Sequence, residues 1–438
     1  MYLLLNTAQR CTRIFCNNFL FRMIFYFGLI SLVWSIKFPF VFQKIYAEDG
    51  TLFLSDALKY RFPVDLLQPA SGYSLLIQRI GGRFVSLFPL DYAPVACALF
   101  AALCLSFLAA GLFQYNNFIS QDFLSKFTLT LCFIFLPLSS FSVLGNVANL
   151  YIFFMAASAV LLYHHESGKT EILYKSIVFF IAALSLPLTI FLLPIMMHRS
   201  YLDKRNLGKW KIQKSEIALL AGILLQFIFI IFTAWGDRTP HSPSSPLKTF
   251  YLYFDRGIGI STIPKWGFVS GTDGNISYEG TINFLSSPSS RLLSVFAILI
   301  ILLFIYIKNQ SVIPSKTKKQ LLFILLLGFI YSMLVGVFFN PEPRYMIFTS
   351  FLTCWVIFLL VESQSDSKLR ISINIYLMLV LALGLNASAH RSGGPDWKPE
   401  IDRAKVLCSQ SNPVEEVTIR TSPEDAVWEI TILCKDLK

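Results

Sequence analysis

Apolar residues fall in long unbroken blocks along this chain, separated by short polar stretches. Blocks at 19–37, 91–113, 125–143, 148–163, 216–235, 291–308, 321–339, 344–361 and 370–386 each come near the ~20 residues a helix needs to cross a bilayer. One further block, 175–197, reads "KSIVFFIAALSLPLTIFLLPIMM", with Pro187 at its centre and Pro194 near its end. Loop charge decides how it runs. Segment 198–215 carries Arg199, Lys204, Arg205, Lys209, Lys211 and Lys214 against Asp203, which predicts a cytoplasmic loop. Segment 164–175 carries Lys169, Lys175 and two histidines. Alternation from a cytoplasmic N-terminus with Arg10 and Arg13 puts it on the same side. A block with both ends on one side is a hairpin of two short, proline-broken half-helices. The pattern therefore predicts an all-α polytopic membrane protein with about eleven membrane helices.

Polarity gathers in three outside segments. The first, 38–90, holds two stretches with helical apolar spacing, 51–60 and 74–88, which read as helices on the membrane surface. The second, 236–290, is long and rich in Ser, Pro, Gly and aromatics. The third is a tail, 387–438, in which "VEEVTIR" and "VWEITILC" read as two short strands. Cys408 and Cys434 bracket that pair, and an oxidising compartment would join them as a disulfide. The organisation expected is a membrane domain over 1–386 and a small periplasmic tail over 387–438.

Composition agrees with a membrane protein. The 438 residues are 55% apolar and 14% charged, with 42 phenylalanines, whereas soluble domains carry about 25% charged residues. The net charge of +11 sits mostly in short loops, so it reads as membrane topology and not as nucleic-acid binding. Cys11, Cys16, Cys97, Cys104, Cys132 and Cys354 lie in or near apolar blocks without metal-ligand spacing. There is no Walker-type loop, dinucleotide fingerprint or HExxH zinc signature.

The candidate chemistry begins at "IYAEDGTLFL", where Glu48 and Asp49 stand side by side just past the first block. Adjacent acids repel, which tends to raise one pKa, and such a carboxylate can serve as general base toward a hydroxyl. A pair of acids can also hold a divalent cation beside a phosphate. The competing reading is structural, since "EDGT" resembles a helix start. Arg79 and Arg83 follow in the same segment, and Arg344 with Tyr345 opens a late block in "NPEPRYMIF". Cations at that interface suit a phosphate-bearing lipid, although snorkelling and helix-end anchoring explain them too. Asn146 and Asn149 mark an outer turn. Lys248, Tyr251, Tyr253, Arg256, Lys265 and Trp266 suit sugar stacking or lipid-phosphate contact, or interfacial anchoring.

This constellation resembles the polytopic GT-C superfamily of glycosyltransferases, nearest to bacterial envelope glucosyltransferases. The resemblance rests on the acids at 48–49, the helical stretches "SGYSLLIQRIGG" and "FPLDYAP", the hairpin "LSLPLTIFLLP" and "PRYMIF". The chain departs from related sequences in having Ala47 where they carry an aromatic before the acids, and no His over 74–78. The resemblance implies a donor sugar on a polyprenyl phosphate and a glycan or lipid acceptor at the outer face of a bacterial inner membrane. Asp49 or Glu48 would be the base, Asp49 narrowly preferred. Arg344, Tyr345, Arg79, Asn149 and Arg256 would bind substrate, and metal dependence stays open. Other readings are a polysaccharide-lipid flippase and a polysaccharide polymerase or ligase. A single proline break and polarity gathered on one face favour surface chemistry over transport.

Overall fold

The computed structural model describes residues 15, 18–70, 72–116, 122–137, 144–208, 210–233, 245–263, 268–270, 277–279, 287–311, 313–339, 343–363, 366–385, 393–410, 415–422 and 428–437. The long helices are α1 (Phe19–Lys37), α2 (Leu76–Val85), α3 (Ala93–Tyr115), α4 (Phe123–Ile134), α5 (Leu150–Tyr163), α6 (Lys169–Ser185) and α7 (Leu192–Leu207). They continue with α8 (Lys214–Phe232), α9 (Pro288–Asn309), α10 (Ser315–Phe339), α11 (Pro343–Glu362), α12 (Ser367–Gly384) and α13 (Trp397–Cys408). Strands β1 (Phe268–Ser270) and β2 (Ser277–Glu279) pair antiparallel, as do β3 (Glu416–Arg420) and β4 (Glu429–Leu433).

Among the described residues, seven helices are long and apolar enough to span a membrane, in α1, α3 and α8 to α12; α4 and α5 are shorter apolar helices. The chain is thus an all-α multi-pass membrane protein with, among the described residues, two small two-stranded sheets. Helix α1 shows the physical pattern. Asn18 caps it by accepting the Phe21 N–H at 3.0 Å. Arg22, Tyr26, Ile30 and Trp34, four residues apart, form its buried face. Leu20, Ile24, Leu32 and Ile36 stay exposed on the other side, as lipid-facing residues do. Helix α5 is buried along its whole length and sits at the bundle centre.

Segment 175–197 does turn back on itself. At one end, Lys175 Nζ on α6 donates to His164 O (2.6 Å) and Gln213 Oε1 (2.8 Å). At that same end Arg199 on α7 pairs with Asp203 and with Glu216 of α8. At the far end the Ser185 hydroxyl accepts the Ile77 N–H at 3.0 Å. The arms are longer than the half-helices expected from the sequence. Helix α6 has 17 residues, about 25 Å at 1.5 Å per residue. The break is a 3-10 turn, Pro187–Phe191, because proline removes the donor an α-helix needs there.

Two further expectations change. Helix α2 does not lie on a surface. Ile77, Gln78, Arg79, Gly81, Gly82 and Val85 are buried, and the helix packs on α3 and α6. Nor is 245–263 an irregular surface loop. It is a helix, Pro246–Leu252, then a π-helical stretch, Tyr253–Gly259, inserted among α9, α10 and α11. Tyr253 packs on Phe329 (5.3 Å between ring centres), and Thr353 Oγ1 donates to Gly257 O at 3.0 Å. Phe329 lies ten residues from the α10 terminus at Phe339, or about 15 Å deep. Such backbone is tolerated there because protein surrounds it.

The tail packs against the first polar segment. The Trp397 N–H donates to Gln43 O (2.9 Å) and its indole to Leu90 O (2.6 Å), and Lys405 pairs with Asp91 (2.7 Å). Ser422 forms a parallel bridge to Tyr46. Cys408 and Cys434 are disulfide-bonded, with Cα atoms 5.5 Å apart, tying α13 to the end of β4. Burial alone would raise the Glu400 carboxyl, but hydrogen bonds from Arg420 and Arg403 outweigh it and lower it from 4.5 to about 2. A depressed folded-state pKa adds stability that is fully present above about 4.5 and is lost as pH falls toward about 2. Proteolysis of the tail is therefore expected to accelerate across that window, and Glu400→Gln is expected to flatten the profile.

Candidate functional site

The acids sit where the first segment, the turn 144–149 and the tail converge. Ala47, just before them, has φ +36°, a left-handed conformation that costs a non-glycine residue energy. The tail over-determines it. The Ala47 N–H donates to Ser422 O, and the Ser422 N–H to Ile45 O (2.9 Å). A π-helical turn, Asp49–Leu54, follows with Glu48 as its cap residue. The acids thus do open a helix, as "EDGT" implied. Gly82 lets α2 press onto that turn: a Cβ there would lie 2.3 Å from Phe53 O. Gly145, at φ +70°, turns the opposite loop into place.

The two carboxylates face different partners. Asp49 is buried. Its Oδ2 accepts the Val147 N–H at 3.0 Å and its Oδ1 the Ala148 N–H at 2.7 Å. It clasps that turn. Glu48 faces Arg344, from the first turn of α11, across 3.4 Å, and about a quarter of its side chain is exposed. Arg344 stands over the Tyr345 ring, 5.3 Å from its centre. A pair at 3.4 Å is looser than the ~2.8 Å of a tight charge-assisted bond, and both partners are accessible.

Below this pair lies a group of tyrosines. Tyr151 is within electrostatic reach of Arg344, Tyr345, Tyr73 and Tyr331. Its hydroxyl is 3.4 Å from Asn149 Oδ1. Tyr331 is fully buried, its ring edge-on to Phe191 of the hairpin tip (5.2 Å) and to Phe348 of α11 (4.9 Å). Tyr73, Tyr151 and Tyr331 were not singled out by the sequence. The signal available was adjacency: Tyr151 follows Asn149 by two residues. Tyr331 sits mid-span with no local mark.

The remaining candidates separate from this group. Arg79 is buried against Phe53 (5.5 Å) and paired with Asp56, so it is neither snorkelling nor at the mouth. Arg83 pairs with Asp65 at 2.9 Å. Arg256 sits on the inserted π-helical stretch, beside the buried Asp255–Arg291 pair (2.7 Å). Asn149 and Asn146 hydrogen-bond each other through the turn, as turn formation requires. Lys265 and Trp266 lie outside the described residues. No family model, curated protein or solved structure matches this chain. Among the described residues no three His, Cys, Asp or Glu side chains converge as metal ligands. Glu48 and Asp49, turned to separate partners, do not form a chelating pair.

Proposed function

We propose that this chain is a membrane glycosyltransferase. It moves a sugar from a polyprenyl-phosphate donor to a glycan or lipid acceptor at the membrane surface, with inversion. One observation carries the reading. Glu48 and Arg344, 296 residues apart in sequence, meet as a loose, part-exposed acid–base pair at the bundle mouth. Tyr73 and Tyr345, the part-buried members of the tyrosine group, supply hydroxyls and ring faces on which a sugar can stack.

Glu48 takes the proton of the acceptor hydroxyl. The acceptor oxygen attacks the anomeric carbon from the opposite face, and the bond from that carbon to the phosphate oxygen breaks. The lipid phosphate leaves with the electron pair, its charge met by Arg344. Asp49 is the positioning residue, because both its oxygens already accept backbone N–H groups. The sequence preference for Asp49 as base thus passes to Glu48. Counting the two shorter apolar helices and both hairpin arms with the seven long ones gives eleven spans. The basic end is then cytoplasmic, and the acids and tail lie in the periplasm of a bacterial inner membrane.

The test is transfer of labelled sugar from undecaprenyl-phosphate donors into envelope glycan, in membranes carrying the chain. Arg344→Ala is expected to raise the donor KM about 10- to 100-fold, the worth of one charged hydrogen bond, and to leave the acceptor KM nearly unchanged. Absence of transfer from every such donor at full protein level would overturn the reading.

A further inference from the structure

The bundle end opposite Glu48 sorts its charges by direction. Each acid of segments 164–171 and 196–217 is bonded to the protein. Arg199 Nη1 donates to Asp203 at 2.9 Å, and Arg199 Nη2 and the Gln213 N–H (2.8 Å) donate to Glu216. Glu171 holds His164 at 2.9 Å. Glu166 accepts the Lys214 and Ser215 N–H groups at 3.0 and 2.8 Å. Lys204, Arg205, Lys211 and Lys214 are exposed. Bulky apolar groups are exposed among them: Trp210 is 59% and Ile212 62% accessible. Lys204 Nζ lies 4.9 Å from the Trp210 ring centre. The spanning helix α8 starts at Lys214, so Trp210 and Ile212 are level with the edge of the bilayer, where tryptophan concentrates.

We propose that this face, carrying Lys204, Arg205, Trp210, Lys211, Ile212 and Lys214, binds anionic phospholipid headgroups. The four cations sit on the lipid phosphates, with Trp210 and Ile212 at the boundary between headgroups and chains. The match is one of charge. With Glu171, Asp203 and Glu216 buried and the Glu166 carboxylate held by the Lys214 and Ser215 N–H groups, the face is a cationic patch around an apolar wedge, the pattern that retains acidic lipids. The inference stands independently of any sugar chemistry.

The experiment uses the full chain reconstituted in equal parts phosphatidylglycerol and phosphatidylcholine, then extracted in mild detergent. Native mass spectrometry reads which lipid stays bound. The wild type is expected to retain phosphatidylglycerol at least about threefold over phosphatidylcholine. The combined Lys204→Gln, Arg205→Gln, Lys211→Gln and Lys214→Gln variant is expected to retain both equally. Should that variant not fold, the wild type decides: raising salt from about 0.1 M to about 0.5 M should cut the enrichment, because exposed charges are screened. Equal retention of both lipids by the wild type, enrichment unchanged in the folded variant, or enrichment indifferent to salt would overturn the proposal.

Discussion

Glu48→Gln is expected to lower the turnover number for sugar transfer by about 10²- to 10⁴-fold, the usual worth of a general base, and to leave the protein as stable as before. The Glu48 carboxylate is part-exposed and faces the Arg344 guanidinium 3.4 Å away. Glutamine keeps the volume and the oxygen facing Arg344 but cannot take a proton. Exposed pairs contribute only ~0–1 kcal/mol, so the unfolding midpoint should barely move. The check is single-turnover transfer beside thermal unfolding of the same preparation. If Glu48→Gln transfers sugar at the wild-type rate, Glu48 is not the base.

The fold was largely legible, because membrane spans are written in composition. Block 19–37 coincides with helix Phe19–Lys37, and the strand pair and bridging cysteines of the tail lie where alternation and spacing placed them. What composition hid was depth. Segment 246–262 contains Lys248, Asp255 and Arg256, and it read as surface. Inside the bundle Asp255 is paired with Arg291, a partner 36 residues away that no local pattern marks. Arg79 misled in the same manner. A basic residue on an amphipathic stretch reads as interfacial, until Asp56 and Phe53 give it a buried partner and a ring.

The candidate site was half legible. Local sequence marked Glu48, Asp49 and Arg344 as unusual residues, but their division of labour depends on contacts across about 100 and about 300 residues. Periodicity cannot supply those contacts, since it reports which face of an element is apolar and not what that face meets. The tail shows the same limit. Its strands were readable, but its pairing with Tyr46, through Ser422, was not. That pairing makes the tail a support for the acid-bearing loop.

Asp49→Ala should fail in a different way from Glu48→Gln, losing stability and activity together. Asp49 spans from the first segment to the turn 144–149, and its two oxygens are each taken by a buried backbone N–H, of Val147 and of Ala148. Alanine leaves both donors without that acceptor in a place closed to water. Hydrogen bonds to a charged group contribute about 1.5–3 kcal/mol each, so the expected loss is about 3–6 kcal/mol and a marked drop in unfolding temperature. Asn149, which stands just before α5 in the same turn, should then be released with Tyr151 beside it. Asp49→Asn keeps one good acceptor and turns an amide toward the other N–H, so it should fall between wild type and alanine. If Asp49 were the base instead, asparagine would abolish transfer even at temperatures where the variant is still folded. Parallel measurement of unfolding and transfer for the two variants separates these roles: transfer falling in step with stability assigns Asp49 to positioning, and transfer abolished in a folded Asp49→Asn protein, out of proportion to the stability lost, returns the base to Asp49.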